Sequence, residues 1–258
     1  MKIVVCGAAG RMGQTIVNLI KEDSSLEVLA ALEHEGSKAI GTGDPVISSV
    51  SNLEKFLDKA DVIIDFTNPE SSLSTLIFAS KYNVPIVIGT TGFTIEQKQK
   101  IKKISEKVPV VLSPNMSVGV NILFKLVKEA AEKMADFDVE ILELHHNKKK
   151  DAPSGTAAKL AEIAASARGK NIEDVAVYGR HGVAFARTKD EIGVLSVRAG
   201  DIVGDHTVYF AGQGERIELT HRASSRDTFA AGALRAAKWV VKQNSGLYDM
   251  ADVLDIKI

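Results

Sequence analysis

The opening of the chain constrains its fold more than any other feature. Lys2-Ile3-Val4-Val5-Cys6 is followed at once by Gly7-Ala8-Ala9-Gly10-Arg11-Met12-Gly13 and then by an amphipathic run to residue 22. A short, nearly all-apolar segment that stops at glycine and passes into a helical pattern reads as a buried strand, a tight turn and a helix. The pattern recurs: strands are predicted over 2–6, 27–31, 61–66, 85–88 and 108–112, and helices over 12–22, 53–59, 69–81 and 95–106. Strands alternating with helices imply parallel neighbours joined by right-handed crossovers. An α/β, doubly wound parallel sheet is therefore expected up to about residue 112.

Beyond that point the rhythm changes. Residues 117–135 read as one long helix, with Val120, Leu123, Phe124, Val127, Ala130, Ala131 and Met134 at helical spacing. A strand over 138–145 and an Ala-rich helix over 155–168 follow. Runs at 193–198, 206–210 and 216–221 then come in series without intervening helices, which predicts an α+β domain with a mixed or antiparallel sheet. The last helix is predicted over 227–242, and periodicity leaves open which domain it joins. The boundary is placed near residue 117, and 258 residues suit one large or two modest domains at about 150 residues each.

Composition removes several classes. Hydrophobic residues make up 45% and charged residues 25%, an ordinary globular mixture that can bury a core. With 32 basic and 33 acidic side chains, the net charge of −1 argues against a nucleic-acid or membrane-surface partner. No apolar run reaches the roughly 18 residues of a membrane span, and the first one is too short for a signal peptide. The single cysteine, Cys6, cannot form an internal disulfide, so a reducing, cytoplasmic setting is expected. No metal site is expected: there is no H-E-x-x-H, and Cys6 lies in the first strand.

The glycine loop has a chemical reading. Glycines allow a pyrophosphate to approach the backbone, and the following helix offers unpaired N–H groups and a partial positive charge. Glu33 stands 20 residues beyond Gly13, where an acid can hydrogen-bond a ribose 2′-hydroxyl. The spacing is G-x-x-G-x-x-G instead of G-x-G-x-x-G, and a tight turn without a ligand would use the same glycines. The order of strand, loop, helix and acid points to a Rossmann-like, dinucleotide-binding domain. Arg11 either faces a phosphate or solvates the first helical turn. His34 when protonated suits a 2′-phosphate, which Glu33 would oppose, so NADH and NADPH both stay open. Gly89-Thr90-Thr91-Gly92 and Ser113-Pro114-Asn115-Met116-Ser117 also end strands, where nicotinamide and its ribose bind in such sheets. Ordinary helix caps use the same residues.

The densest polar stretch is Glu140-Ile141-Leu142-Glu143-Leu144-His145-His146-Asn147-Lys148-Lys149-Lys150-Asp151-Ala152-Pro153-Ser154-Gly155-Thr156-Ala157. It runs from a strand end to a helix start, whose free N–H groups can hold a carboxylate. A solvated basic loop with a helix cap is the competing reading. Hydride delivery leaves an acceptor that needs a proton, which His or Lys can give, and cations suit an anionic acceptor. His181, His206 and His221 read as structural or rim residues.

This stretch resembles the signature of the 4-hydroxy-tetrahydrodipicolinate reductase (dihydrodipicolinate reductase) family: E-I-x-E-x-H, a lysine four residues later, then D-x-P-S-G-T-A. The likeness extends over the chain through Asp65-Phe66-Thr67, Asn115-Met116-Ser117-Val118-Gly119-Val120-Asn121, the run from Arg198 to Thr207, and His221-Arg222-Ala223-Ser224-Ser225-Arg226. The resemblance implies reduction of a cyclic, unsaturated pyridine dicarboxylate derivative by NADH or NADPH, after loss of water, in lysine and diaminopimelate biosynthesis. It implies His145 as proton donor and acceptor, Lys149 as a second donor, and His146, Gly155 and Thr156 as binders of the substrate carboxylates. It assigns cofactor contact to Gly7, Ala8, Ala9, Gly10, Arg11, Met12, Glu33, Gly89, Thr90, Thr91, Ser113, Pro114, Asn115 and Met116, with His34 beside the acid. It further implies a homotetramer built through the second-domain sheet, and a last helix and tail that return to the cofactor domain. The expected domains are thus 1–117 with 226–258, and 118–225. His34 replaces the arginine often found after the acid, and Met116 stands where an aromatic residue is frequent. A dehydrogenase of another carboxylate would lack the segment from His145 to Thr156. A nucleotide sensor would have no need of both His145 and Lys149.

Overall fold

In β1 (Lys2–Cys6) alternate side chains enter different cores: Ile3 and Val5 one, Val4 and Cys6 the other. That two-sided burial is what a strand between two helical layers requires. The computed structural model describes residues 1–183 and 186–256. They divide into Met1–Val118 with Arg226–Asp255, and Gly119–Ser225 with Ile256. The last two residues of the expected 226–258 segment lie outside the described residues.

The first unit contains α1 (Arg11–Glu22), β2 (Glu27–Glu33), β3 (Ile47–Ser49), α2 (Glu54–Leu57), β4 (Val62–Asp65), α3 (Pro69–Tyr82), β5 (Ile86–Ile88), α4 (Ile95–Ser105) and β6 (Pro109–Leu112). The second contains α5 (Val118–Lys133), β7 (Asp138–His145), α6 (Gly155–Ala167), α7 (Ile172–Val175), β8 (Ala176–Val177), β9 (Ile192–Arg198), β10 (Gly204–Ala211) and β11 (Arg216–Ala223). The chain then returns to the first unit as α8 (Asp227–Val240), β12 (Gly246–Tyr248) and α9 (Met250–Leu254).

The first unit is built on a seven-stranded sheet in the order β12-β6-β5-β4-β1-β2-β3, with every pairing parallel. It is the doubly wound sheet expected, with two strands more. β3 and β12 are three residues long, below what an apolar run can signal. β2 runs two residues past the predicted 27–31, because Leu32 pairs with Cys6 and Glu33 with Ser49. One face packs α1 and α8 through Ile16, Val17, Ile20, Ala233 and Ala237; the other packs α3 and α4 through Leu76, Ala79 and Ile101. Gly13 lets α1 start tight against the loop, since a Cβ there would stand 2.1 Å from the Gly7 carbonyl oxygen.

The second unit has a five-stranded mixed sheet, order β11-β10-β7-β9-β8. β7 runs antiparallel to β10 and parallel to β9. α5 and α6 cover one face, burying Leu123, Phe124, Val127, Leu160 and Ala164 against Val139, Ile141, Val194, Val208 and Phe210. The alternation in β7 continues past this apolar pair, so Val139, Ile141, Glu143 and His145 are all buried on the helix-covered side. Two polar groups therefore sit at the C-terminal end of a strand whose earlier residues are core. The other face carries Leu142 and Leu144, with Leu195 and Val197 of β9 beside them.

Candidate active site

In the first unit, the strand order turns between β1 and β4: β2 and β3 lie on one side, β5 and β6 on the other. Open α/β sheets bind ligands beyond the strand C-termini at such a point. A pocket of about 290 Å³ opens there, lined by Gly7, Gly10, Glu33, His34, Phe66 and Thr67 among others. Gly7 has φ of +79°, and a Cβ on it would come within 2.6 Å of the Phe66 carbonyl oxygen. Only glycine lets the loop turn here and pack directly on the end of β4. Glu33 is held at both oxygens: Ala9 N–H donates to Oε2 (3.0 Å) and His34 N–H to Oε1 (3.1 Å). Glycine, fixed carboxylate and open pocket fit the pyrophosphate and ribose of a dinucleotide.

The other expected cofactor residues divide by exposure. Ala9 and Met12 are half-buried and Gly10 and Arg11 exposed, whereas Ala8 is buried. Gly89 is held by sterics, since a Cβ would stand 2.2 Å from the Phe66 ring. Thr91 and Pro114 are exposed and Asn115 half-buried, but Thr90 and Ser113 are buried. Met116 is 2% exposed and packs in the core, beneath Gly232 of α8. Its side chain thus serves packing; a ligand would meet its exposed or half-buried neighbours.

Asp65, the fully buried end of β4, carried part of the family likeness in the sequence but no role there. Its Oδ1 accepts from Thr67 N–H (3.1 Å), Thr67 Oγ1 (2.7 Å), Ser72 Oγ (2.6 Å) and Thr90 Oγ1 (3.3 Å). One carboxylate thus ties together the turns after β4 and β5. Burial pushes its carboxyl up, and the hydrogen bonds from Ser72 and Thr67 only partly oppose this. Burial, with Asp65 adding to it, also raises the Cys6 thiol, so Cys6 is a core residue and not a nucleophile.

In the second unit, the expected pair His145 and Lys149 lie beside a cluster of buried polar groups. His145 is 8% exposed, and its Nδ1 contacts Glu143 Oε2. Arg198 grips Glu143 with both terminal nitrogens, at 2.9 and 2.7 Å. Ser154 N–H donates to Glu143 Oε1 (3.1 Å), while Ser154 Oγ caps α6 by accepting from Ala157 N–H (3.2 Å). The same hydroxyl lies 3.0 Å from His206 Nε2, and the His206 ring stands edge-on to His145 with centroids 5.1 Å apart. Burial lowers the His145 pKa, Glu143 opposes that, and the charges of Lys149 and Arg198 add to it. Burial, with His145 as a like neighbour, takes His206 down to about 3.

Three adjacent lysines could not be ranked by composition. In the structure Lys149 is half-buried and paired with Asp151 at 2.9 Å, while Lys148 and Lys150 are exposed. His146 is half-buried, and its Nδ1 is buried without a partner among the described residues. α6 begins at Gly155, where an added Cβ would meet nothing within 4 Å, with Thr156 next. The first turn is therefore open to an anion. Of the two readings of His206, structural or rim, burial favours the first: at 4% exposure it lies inside the cluster. Glu143, Arg198 and His206 were missed as functional because each reads as one polar position in an alternating strand. The sequence signal that unites them is register, since β7 and β10 pair Glu143 with His206, and β9 aligns Arg198 with His145. Among the described residues, no group of three or more His, Cys, Asp or Glu is arranged to hold a metal.

Comparison with known proteins agrees over the whole chain. Residues 1–116 match the family described as dihydrodipicolinate reductase, N-terminus, and residues 119–254 match dihydrodipicolinate reductase, C-terminus. A 4-hydroxy-tetrahydrodipicolinate reductase of Syntrophotalea carbinolica is 53% identical over 268 aligned positions, covering 100% of both chains. One from Geotalea daltonii is 49% identical, again over 100% of both. A solved dihydrodipicolinate reductase from Paenisporosarcina sp. TG-14, with dipicolinate bound, superposes with a TM-score of 0.79 at 28% identity, covering 98% of each chain. A probable dehydrogenase from Thermotoga maritima shares the fold alone, at 11% identity and TM-score 0.63. With both halves matched in order and full-length relatives at about half identity, the chain belongs to the dihydrodipicolinate reductase family.

Proposed function

We infer that this chain catalyses the reduction of 4-hydroxy-tetrahydrodipicolinate to tetrahydrodipicolinate by a reduced pyridine nucleotide, with loss of water, in lysine and diaminopimelate biosynthesis. The observation that carries the site assignment is the continuity of residues 143–156: a buried histidine at a strand end, a cationic loop, and an open helix N-terminus. A bound nicotinamide supplies the hydride. The first turn of α6, at Gly155 and Thr156, holds a substrate carboxylate with its backbone N–H groups, and His146 and Lys149 add polar contacts. His145 and Lys149 supply the proton that the reduced substrate needs. Lys149 fits this better than its neighbours because it is drawn in by Asp151.

The cofactor-binding residues support NADH over NADPH. Glu33 is fixed by two backbone N–H groups beside the pocket, and its described lining contains no lysine or arginine. A fixed carboxylate accepts from a 2′-hydroxyl and repels a 2′-phosphate. The open sheet face, with Leu195 37% and Val197 40% exposed, supports assembly through that sheet into a homotetramer. Among the described residues no helix is long and apolar enough to cross a membrane, and free, buried Cys6 suits a reducing cytoplasm.

The test is direct. The pure protein is mixed with substrate made fresh by a synthase from pyruvate and aspartate semialdehyde, and oxidation of NADH and NADPH is followed separately. Protein-dependent oxidation is expected, with kcat/KM higher for NADH and the ratio shrinking in Glu33→Gln. No oxidation of either cofactor, with cofactor binding intact, would overturn the assignment.

A further inference from the structure

Glu143 is wholly buried, yet donors converge on both its oxygens. Ser154 N–H and Arg198 Nη2 reach Oε1, and Arg198 Nη1 and His145 Nδ1 reach Oε2. Arg198 is itself held by the carbonyl oxygens of Asp151 (2.6 Å) and Val197 (2.8 Å). Burial alone would raise the carboxyl, but Arg198, Ser196, His145 and Ser154 N–H together hold it down to about 2. Glu143 is therefore ionised at any working pH and can only accept. A ring nitrogen facing an obligate acceptor carries the hydrogen, so neutral His145 has Nδ1–H toward Glu143 and its lone pair on Nε2. β10 presents no side chain to that second nitrogen: a Cβ on Gly204 would stand 2.9 Å from Nε2. The charged or titratable groups around the ring are Glu143 on its own strand, Lys149 on the loop beyond it, Arg198 on β9 and His206 on β10.

We propose that Glu143 is the positioning residue of the proton transfer. It fixes the ring and tautomer of His145 so that the proton travels through Nε2, and its bond to Ser154 N–H locks that ring to the carboxylate-holding turn of α6. The proposal rests on His145 being the proton donor. Nε2 takes a proton from solvent, and the imidazolium is balanced by Glu143. Nε2 then gives the proton to the reduced substrate, and the ring returns to neutral. Glu143 keeps its charge throughout and forms no covalent bond. The same logic underlies a carboxylate that orients a histidine in hydrolases, where its loss as the amide costs about 10⁴-fold in kcat.

The test uses the intact chain. In the wild type, ¹⁵N NMR of labelled histidine is expected to show His145 protonated at Nδ1 and bare at Nε2. In Glu143→Gln this preference is expected to be lost, with kcat down on the order of 10²- to 10⁴-fold. KM for NADH should stay within about threefold, and the pH limb belonging to His145 should move down by about one unit or more. Glu143→Asp should restore part of kcat. A wild-type His145 carrying its proton on Nε2 would overturn the proposal, and this readout needs no variant to fold. So would a Glu143→Gln enzyme whose kcat falls without movement of the pH limb. His145→Ala separates the two levels. Normal turnover there removes the donor assignment and the proposal with it, whereas an inactive His145→Ala beside an unshifted Glu143→Gln profile removes the positioning role alone.

Discussion

Gly7 joins two demands at one residue, a left-handed φ of +79° and a carbonyl oxygen 2.6 Å from where a Cβ would be. Gly7→Ala should cost about 1–3 kcal/mol in a melting experiment and weaken NADH binding in a fluorescence titration. This residue was legible in the sequence as a turn glycine, because glycine between a strand and a helix marks a tight turn. His206 was not: a histidine within an apolar strand carries no sign of which neighbour it will meet. Its pKa is depressed to about 3, so the unfolded chain binds a proton more readily than the folded one. The stability it contributes is complete above the ordinary histidine range and is lost as pH falls toward 3. Between those limits denaturant titrations of His206→Gln should show a shallower pH dependence, by up to about 1.4 kcal/mol per pH unit.

At the scale of elements, long periodic segments were readable and short ones were not. α1, α3, α4 and β7 match their expected spans to within one residue, because each has an apolar stripe or alternation several residues long. β3, β8 and β12 have two or three residues each and exist through their partners' edges. Turns between elements hold a second lesson. Asp65 gathers Thr67, Ser72 and Thr90, which come from the turn after β4, the helix that follows, and the turn after β5. Asp65→Ala would remove the one acceptor these donors share and leave only the weaker cross-links among Thr67, Ser72 and Thr90, at about 1–3 kcal/mol for the group. A lower melting temperature and weaker NADH binding are expected together. Asp65→Asn keeps an acceptor at Oδ1 and should lose less of both.

At the scale of the molecule, the change from alternating strands and helices to strands in series was visible in the sequence, and so was the two-part character. Periodicity did not show which unit owns the last helix, since its apolar stripe of alanines would fit many surfaces; only the family resemblance implied its return to the first. Ala230, Ala233, Ala236 and Ala237 pack with Ile3, Val5, Ile64 and Val87, and β12 adds to the sheet beside β6. The open face of the second sheet gives the assembly prediction: Leu195→Asp with Val197→Asp should lower the mass seen by sedimentation while each chain stays folded. The return of α8, β12 and α9 has a consequence for biosynthesis on the ribosome. Synthesis is vectorial, and most chains fold domains in the order in which they emerge. In this chain the first sheet waits for a late helix, because α1 covers only β1 and β2 while the apolar flank at β4, β5 and β6 stays uncovered until α8 has been translated. The inserted unit, continuous from Gly119 to Ser225, can close earlier. The nucleotide-binding unit is thus the first to be started and the last to be finished, and its nascent form presents a sticky surface for most of translation.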